Sequence, residues 1–246
     1  MFLKSLNKLL EIKTIVLLLS SLMISIHISA QGSGKTELNF EEGKKIKVGF
    51  LAYEGVEAQD LSGPLDVFVK ANRMGGNFEI FLISATPDRN IKTESEILQI
   101  KAQYSIEDAP QTDILLVPGA APDIVRNLAI TNSSLNKWMI TQNKNTKMTG
   151  SICTGSLYLA DVGLLNNRQA TTHPAAISAL KGIKGIEVKE NVRFVNDGKY
   201  ITGSGITSGI DVALQIIEMI QGKERADFIA KIMVYNRNGD MVFLQK

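Results

Sequence analysis

The sequence predicts a three-layer α/β/α sandwich around a mainly parallel sheet, and two patterns carry that prediction. Short apolar runs of strand length, KIKVGFLAY (45–53), FEIFLIS (78–84) and DILLVPG (113–119), alternate with segments whose apolar residues recur at helical spacing. No repeat, low-complexity tract or internal linker interrupts them, so residues 45–246 read as a single domain. With 246 residues, 44% of them hydrophobic, the chain is long enough to bury a full core.

The elements follow in order. Residues 1–30 read as a secretory signal peptide: Lys4, Lys8 and Lys13 precede an uncharged apolar run from Thr14 to Ile28, which closes on Ser29-Ala30. The rival reading is an uncleaved anchor, but the run is about 15 residues and carries serines and His27, against the roughly 20 residues that span a bilayer. The expectation is an exported, periplasmic or secreted protein. Intact-mass measurement of protein recovered from its native host should show a chain starting near Gln31; the full N-terminus held in a membrane fraction would overturn this. Residues 31–44 form a polar leader.

The first strand then leads to a helix with apolar face Leu61, Leu65, Phe68 and Val69, for which Ser62 and Pro64 suit the N-cap and first turn. Leu135, Trp138 and Met139 mark another helix, whose periodicity makes the lone tryptophan core rather than a ligand platform. RFVNDGKYIT is a hairpin with Asp197-Gly198 as its left-handed turn. Ile210, Ala213, Leu214 and Ile217 mark a helix capped by Ser208 with Asp211 three residues on, and Ile229, Ile232 and Met233 mark a last one.

Charge and cysteine content exclude several function classes. Without residues 1–30, Lys+Arg falls from 27 to 24 and Asp+Glu from 25 to 24. A neutral chain without a basic cluster has no electrostatic footprint for nucleic acid or for a membrane surface after signal cleavage. One cysteine, Cys153, makes no internal disulfide, and with His173 as the only histidine beyond residue 30 a metal site of ordinary ligand type is not expected.

Cys153 stands in TGSICTGSLYLA, where the strand-like KMTGSI turns into a helix carrying Leu157, Ala160 and Leu164 inward. Parallel sheets bind ligands at the carboxyl ends of their strands, and Asp60, Gly119 and Cys153 all follow strands there. A strand–nucleophile–helix turn lifts the reacting atom off the sheet edge, with Gly150 and Gly155 leaving room. The helix start is expected to favour thiolate over thiol, and the Thr154 and Gly119 amides to stabilise an oxyanion. From local pattern alone both readings stay open. Cys153 is an inert buried thiol or a nucleophile, Asp60 a helix-entry residue or an acid, and His173 a packed histidine or a catalytic one. Glu57 reads as a solvated loop charge.

GSICTGSLYLADVGLLNNRQATTHPAA, together with EAQDLSGPLDVF, LLVPG and GSGITSGIDVAL, resembles the ThiJ/PfpI (DJ-1/PfpI) superfamily over about residues 46–221. The resemblance implies a flavodoxin-like, class I glutamine amidotransferase-like fold with a nucleophile elbow. Within the superfamily the Cys-Thr-Gly elbow is most similar to isonitrile hydratases and to the ligand domains of AraC-type regulators. Thr154 stands where the protease-like members carry histidine, against a peptidase.

By this resemblance Cys153 is the nucleophile, Asp60 the acid facing its sulfur, Thr154 a neighbouring hydroxyl and backbone donor, and Gly119 the second oxyanion amide. His173 is a possible auxiliary group. The implied activity is addition of a thiolate to a small electrophilic carbon, in a hydratase (lyase) or a glyoxalase/deglycase version, with no cofactor and a homodimeric assembly. The alternative is a non-catalytic ligand or redox sensor. Three departures stand out: Ala120 where Pro-Gly-Gly is common, Pro174 where isonitrile hydratases carry an aromatic, and an end at Lys246 where the regulators continue into a helix-turn-helix domain. Direct DNA binding is therefore not expected.

Overall fold

The computed structural model describes residues 38–239. The expected signal peptide, residues 31–37 of the polar leader and the last seven residues lie outside them. Seven strands form one sheet in the order β10-β11-β7-β6-β1-β2-β5. They are β1 (Ile46–Ala52), β2 (Phe78–Ser84), β5 (Tyr104–Ser105), β6 (Ile114–Val117), β7 (Met148–Ser151), β10 (Phe194–Asp197) and β11 (Tyr200–Gly203). All neighbours pair in parallel except β10 with β11. This is the expected three-layer α/β/α sandwich.

Side-chain alternation divides the core. Val48 and Phe50 of β1 and Ile114 and Leu116 of β6 face a layer built by α1 (Ala58–Arg73), α6 (Ser208–Gln221) and α7 (Lys223–Ile232). Leu51, Leu115 and Val117 face the opposite layer, built by α2 (Pro122–Thr131), α3 (Ser133–Asn145), α4 (Gly155–Asp161) and α5 (Ile177–Lys181). β6 is buried on both faces, which is why it reads as an unbroken apolar run rather than an alternating one. Two small pairs stand apart: antiparallel β3 (Asn90–Lys92) with β4 (Gln99–Lys101), and parallel β8 (Arg168–Ala170) with β9 (Ile186–Val188). Among the described residues no helix is long and apolar enough to cross a membrane.

Several sequence expectations are corrected in detail. α1 begins earlier than Ser62 and Pro64 suggest. Glu57 is its N-cap, accepting from the Gln59 amide at 3.2 Å, and Pro64 lies inside the helix. In the hairpin only Gly198 is left-handed (φ +66°); Asp197 remains in the strand, and its carboxylate accepts from the Gln169 amide at 2.9 Å. Thr207 rather than Ser208 is the N-cap of α6. Asp211 turns away to a half-buried ion pair with Arg193 (3.0 Å) and to the Tyr235 hydroxyl (2.7 Å). Trp138 is half-buried against the core, whereas Ile232 is 39% exposed. The end of the leader is docked: the Leu38 amide donates to Met219 O at 3.2 Å, and the Lys147 ammonium lies 4.3 Å from the centre of the Phe40 ring.

Candidate functional site

The loops after β1, β6, β7 and β11 meet at one sheet edge, and backbone hydrogen bonds set their spacing. The Glu57 amide donates to Gly119 O (2.9 Å), the Ile152 amide to Val117 O (3.0 Å) and the Cys153 amide to Gly203 O (3.0 Å). The buried Tyr53 hydroxyl donates to Pro118 O at 2.7 Å and ties the β1 and β6 loops together. Cys153 therefore sits where four strands point, 7% exposed, with φ +56°. That left-handed conformation is the elbow expected from the sequence.

The glycines are spacers. A Cβ on Gly155 would stand 2.2 Å from Val117 O, and one on Gly150 would stand 2.6 Å from Leu116 Cδ2. Gly119 is held as closely: a Cβ there would lie 2.5 Å from Thr154 Oγ1 and 2.8 Å from Asp60 Oδ2. Four of the predicted residues, Cys153, Asp60, Thr154 and Gly119, are thus brought together. Asp60 occupies the first turn of α1 and is fully buried.

The use of the amides differs from expectation. The Gly119 N–H donates to Asp60 Oδ2 at 2.8 Å. The Ala120 N–H donates to Thr154 Oγ1 at 3.0 Å, and that hydroxyl donates to Ala120 O at 2.6 Å. Of the two amides assigned to an oxyanion, that of Gly119 is therefore already spent on the carboxylate. The second carboxyl oxygen, Asp60 Oδ1, is buried without a hydrogen-bond partner.

Burial raises both titrating groups. It lifts the Asp60 carboxyl to about 7; the Gly119 amide opposes this, Glu57 adds to it, and the Cys153 thiol opposes it again. Burial and then the Asp60 charge push the Cys153 thiol up, and the Thr154 amide only partly opposes them. Burial and the Asp60 charge thus work against the thiolate expected from the helix start. α4 is short and begins two residues after Cys153, so its end-field is outweighed by desolvation and a neighbouring anion. The resting pair is a thiol beside a carboxyl poised to take its proton near neutrality.

His173 is not joined to this pair. Its Nδ1 accepts from the Ala175 amide at 3.2 Å, capping the single turn Pro174–Ala176, and burial lowers its pKa. The neighbouring Thr172, which sequence reasoning missed, does reach the elbow: its hydroxyl donates to Cys153 O at 3.1 Å. Tyr53 and Glu57 were also missed as site residues, because each acts through a contact distant in sequence or through a long-range charge. Among the described residues no group of three or more His, Cys, Asp or Glu side chains is placed to hold a metal ion.

Comparison with known proteins places the chain among relatives of one family. An isonitrile hydratase from Pseudomonas putida is 34% identical over 190 residues, 77% of this chain and 78% of that one. The HTH-type transcriptional regulator CdhR of Pseudomonas aeruginosa is 30% identical over 142 residues, but the match spans only 40% of its length against 57% of this chain. The crystal structure of a ThiJ/PfpI family protein from Pseudomonas syringae superposes with a TM-score of 0.70 at 24% identity, covering 89% of this chain and 86% of that one. The DJ-1/PfpI family pattern matches residues 46–219, and with the elbow, the buried acid and the sheet order it establishes that the chain belongs to the DJ-1/PfpI family.

Proposed function

We propose that this chain is an exported hydratase of the isonitrile type, using Cys153 as nucleophile and Asp60 as proton carrier. The observation that supports this reading over acyl transfer or aldehyde addition is where the amides point. Acyl transfer and addition to a carbonyl both place negative charge on oxygen and call for free donors, whereas here the Gly119 and Ala120 amides are held by the Asp60 carboxylate and the Thr154 hydroxyl. Addition to an isonitrile places the developing charge on carbon, next to the acid that can quench it. The 34% identity to an isonitrile hydratase supports the same reading.

The steps balance without a cofactor. The thiol proton passes to Asp60 as Sγ bonds to the terminal carbon of R–NC, and Asp60 delivers that proton to the same carbon, giving a thioimidate. Water adds to the thioimidate carbon as the nitrogen takes up a proton. The C–S bond then breaks, Sγ regains a proton, and an N-substituted formamide leaves. Thr154, through its contact with the β6 loop, positions the elbow rather than the substrate. We take the assembly to be a homodimer.

A panel of isonitriles, 2-oxoaldehydes and amides, run on the wild type and Cys153→Ala, tests the reading. Formamide should form from at least one isonitrile and fall to background in the variant. Turnover of a 2-oxoaldehyde alone would replace the hydratase with a glyoxalase-like enzyme. Saturable ligand binding without turnover would favour a sensor, the reading that similarity to CdhR supports.

A further inference from the structure

Asp60 is the inner member of a line of carboxyls. Glu57 lies one turn before it on the same helix end, half-buried, with its backbone amide on Gly119 O and its side chain on the Gln59 amide. The β3–β4 hairpin is laced to this loop. The Gly55 amide donates to Lys92 O (2.9 Å), Val56 bridges Thr93, and the Glu94 amide donates to Val56 O (3.1 Å). This lacing sets the exposed Glu94 beside the helix entry that carries Glu57, so two acidic side chains flank one loop. The charges that act most strongly on Cys153, from Asp60 and then Glu57, are both negative.

We propose that Glu57 and Glu94 set the charge selectivity of the site, admitting uncharged and cationic electrophiles to Cys153 and rejecting those that carry a carboxylate or phosphate. The pair does not touch the reacting atoms; it acts through the field at the approach to the buried sulfur. For the hydratase reading this narrows the substrate class to isonitriles without an anionic group, and in that respect it rests on that reading.

The test does not need turnover. Cys153 is alkylated with neutral iodoacetamide and anionic iodoacetate, and the ratio of the two rates is normalised to the same ratio for the urea-unfolded chain. Any change in thiolate fraction cancels in that ratio, so only discrimination between reagents remains. The wild type should favour iodoacetamide, and Glu57→Gln and Glu94→Gln should each lower the normalised ratio by about three- to tenfold, the effect being weaker at high salt. Glu57→Gln keeps an oxygen to cap the helix, and Glu94 is exposed, so neither variant needs to misfold. A wild-type ratio equal to that of the unfolded chain, or a ratio unchanged in both variants, would overturn the proposal. If the ratio shifts as expected while no isonitrile is turned over, charge selection stands and the hydratase reading falls.

Discussion

Replacing Asp60 with asparagine is expected to lower turnover by about 10²–10⁴ while making Cys153 easier to alkylate at neutral pH. The two effects have opposite signs because Asp60 does two things to the sulfur. As a proton carrier it is needed for addition to carbon, and asparagine cannot cycle a proton. As a buried anion it holds the Cys153 thiol up, second only to burial itself, and asparagine removes that charge. The variant still offers an oxygen to the Gly119 amide, which donates to Asp60 Oδ2 in the wild type, so the loops should stay in place.

Stability gives a third readout for the same variant. The folded-state pKa of Asp60 is raised by burial to about 7, so its favourable contribution is present below the ordinary aspartate range and is lost as pH rises through neutrality. Urea denaturation between about pH 4 and pH 7 should show the wild type losing up to ~4 kcal/mol relative to Asp60→Asn. Iodoacetamide kinetics, turnover and denaturation together decide the role. If alkylation and turnover fell in step, or neither moved, Asp60 would not be the proton carrier.

Gly155→Ala is expected to have the largest structural effect. Its Cβ would stand 2.2 Å from Val117 O and 2.8 Å from Pro118 O, both backbone atoms of the β6 end that cannot swing aside as a side chain does. Overpacking of this kind typically costs ~1–3 kcal/mol, and here the relief would have to come from moving the turn that carries Cys153. Turnover should therefore fall together with the denaturation midpoint. Gly205→Ala is the control, since no heavy atom lies within 4 Å of its Cβ and its backbone is not left-handed; a change within ~0.5 kcal/mol is expected there. Equal behaviour of the two variants would show that the elbow does not depend on close approach of the chains.

What the sequence revealed depended on the range of the forces involved. β1, β2 and β6 were legible because burial on one or both faces writes itself into consecutive residues. The β3–β4 hairpin, β5, β8 and β9 were not: each strand is two or three residues long, most of them partly exposed, too short to show a period. α1 was found but its start was misplaced, because Ser62 and Pro64 imitate a cap inside a helix that tertiary packing extends forward to Glu57. Cys153 and its glycine spacers could be found locally, since the elbow is a local conformation. The partner of the Gly119 amide could not. A donor's acceptor across 59 positions, as for Gly119 and Asp60, leaves no trace in either string.

The left-handed backbone at Cys153 bears on how this chain would drift under mutation. A side chain held at φ +56° is disfavoured there, and glycine would occupy the same backbone without that penalty. Were the thiol idle, a change at position 153 toward glycine would relieve that backbone strain and also remove a reactive sulfur, at the cost of one buried side chain. A Cys153→Gly chain that melts at a higher temperature than the wild type would measure how much folding free energy this protein forgoes to keep its one cysteine in place.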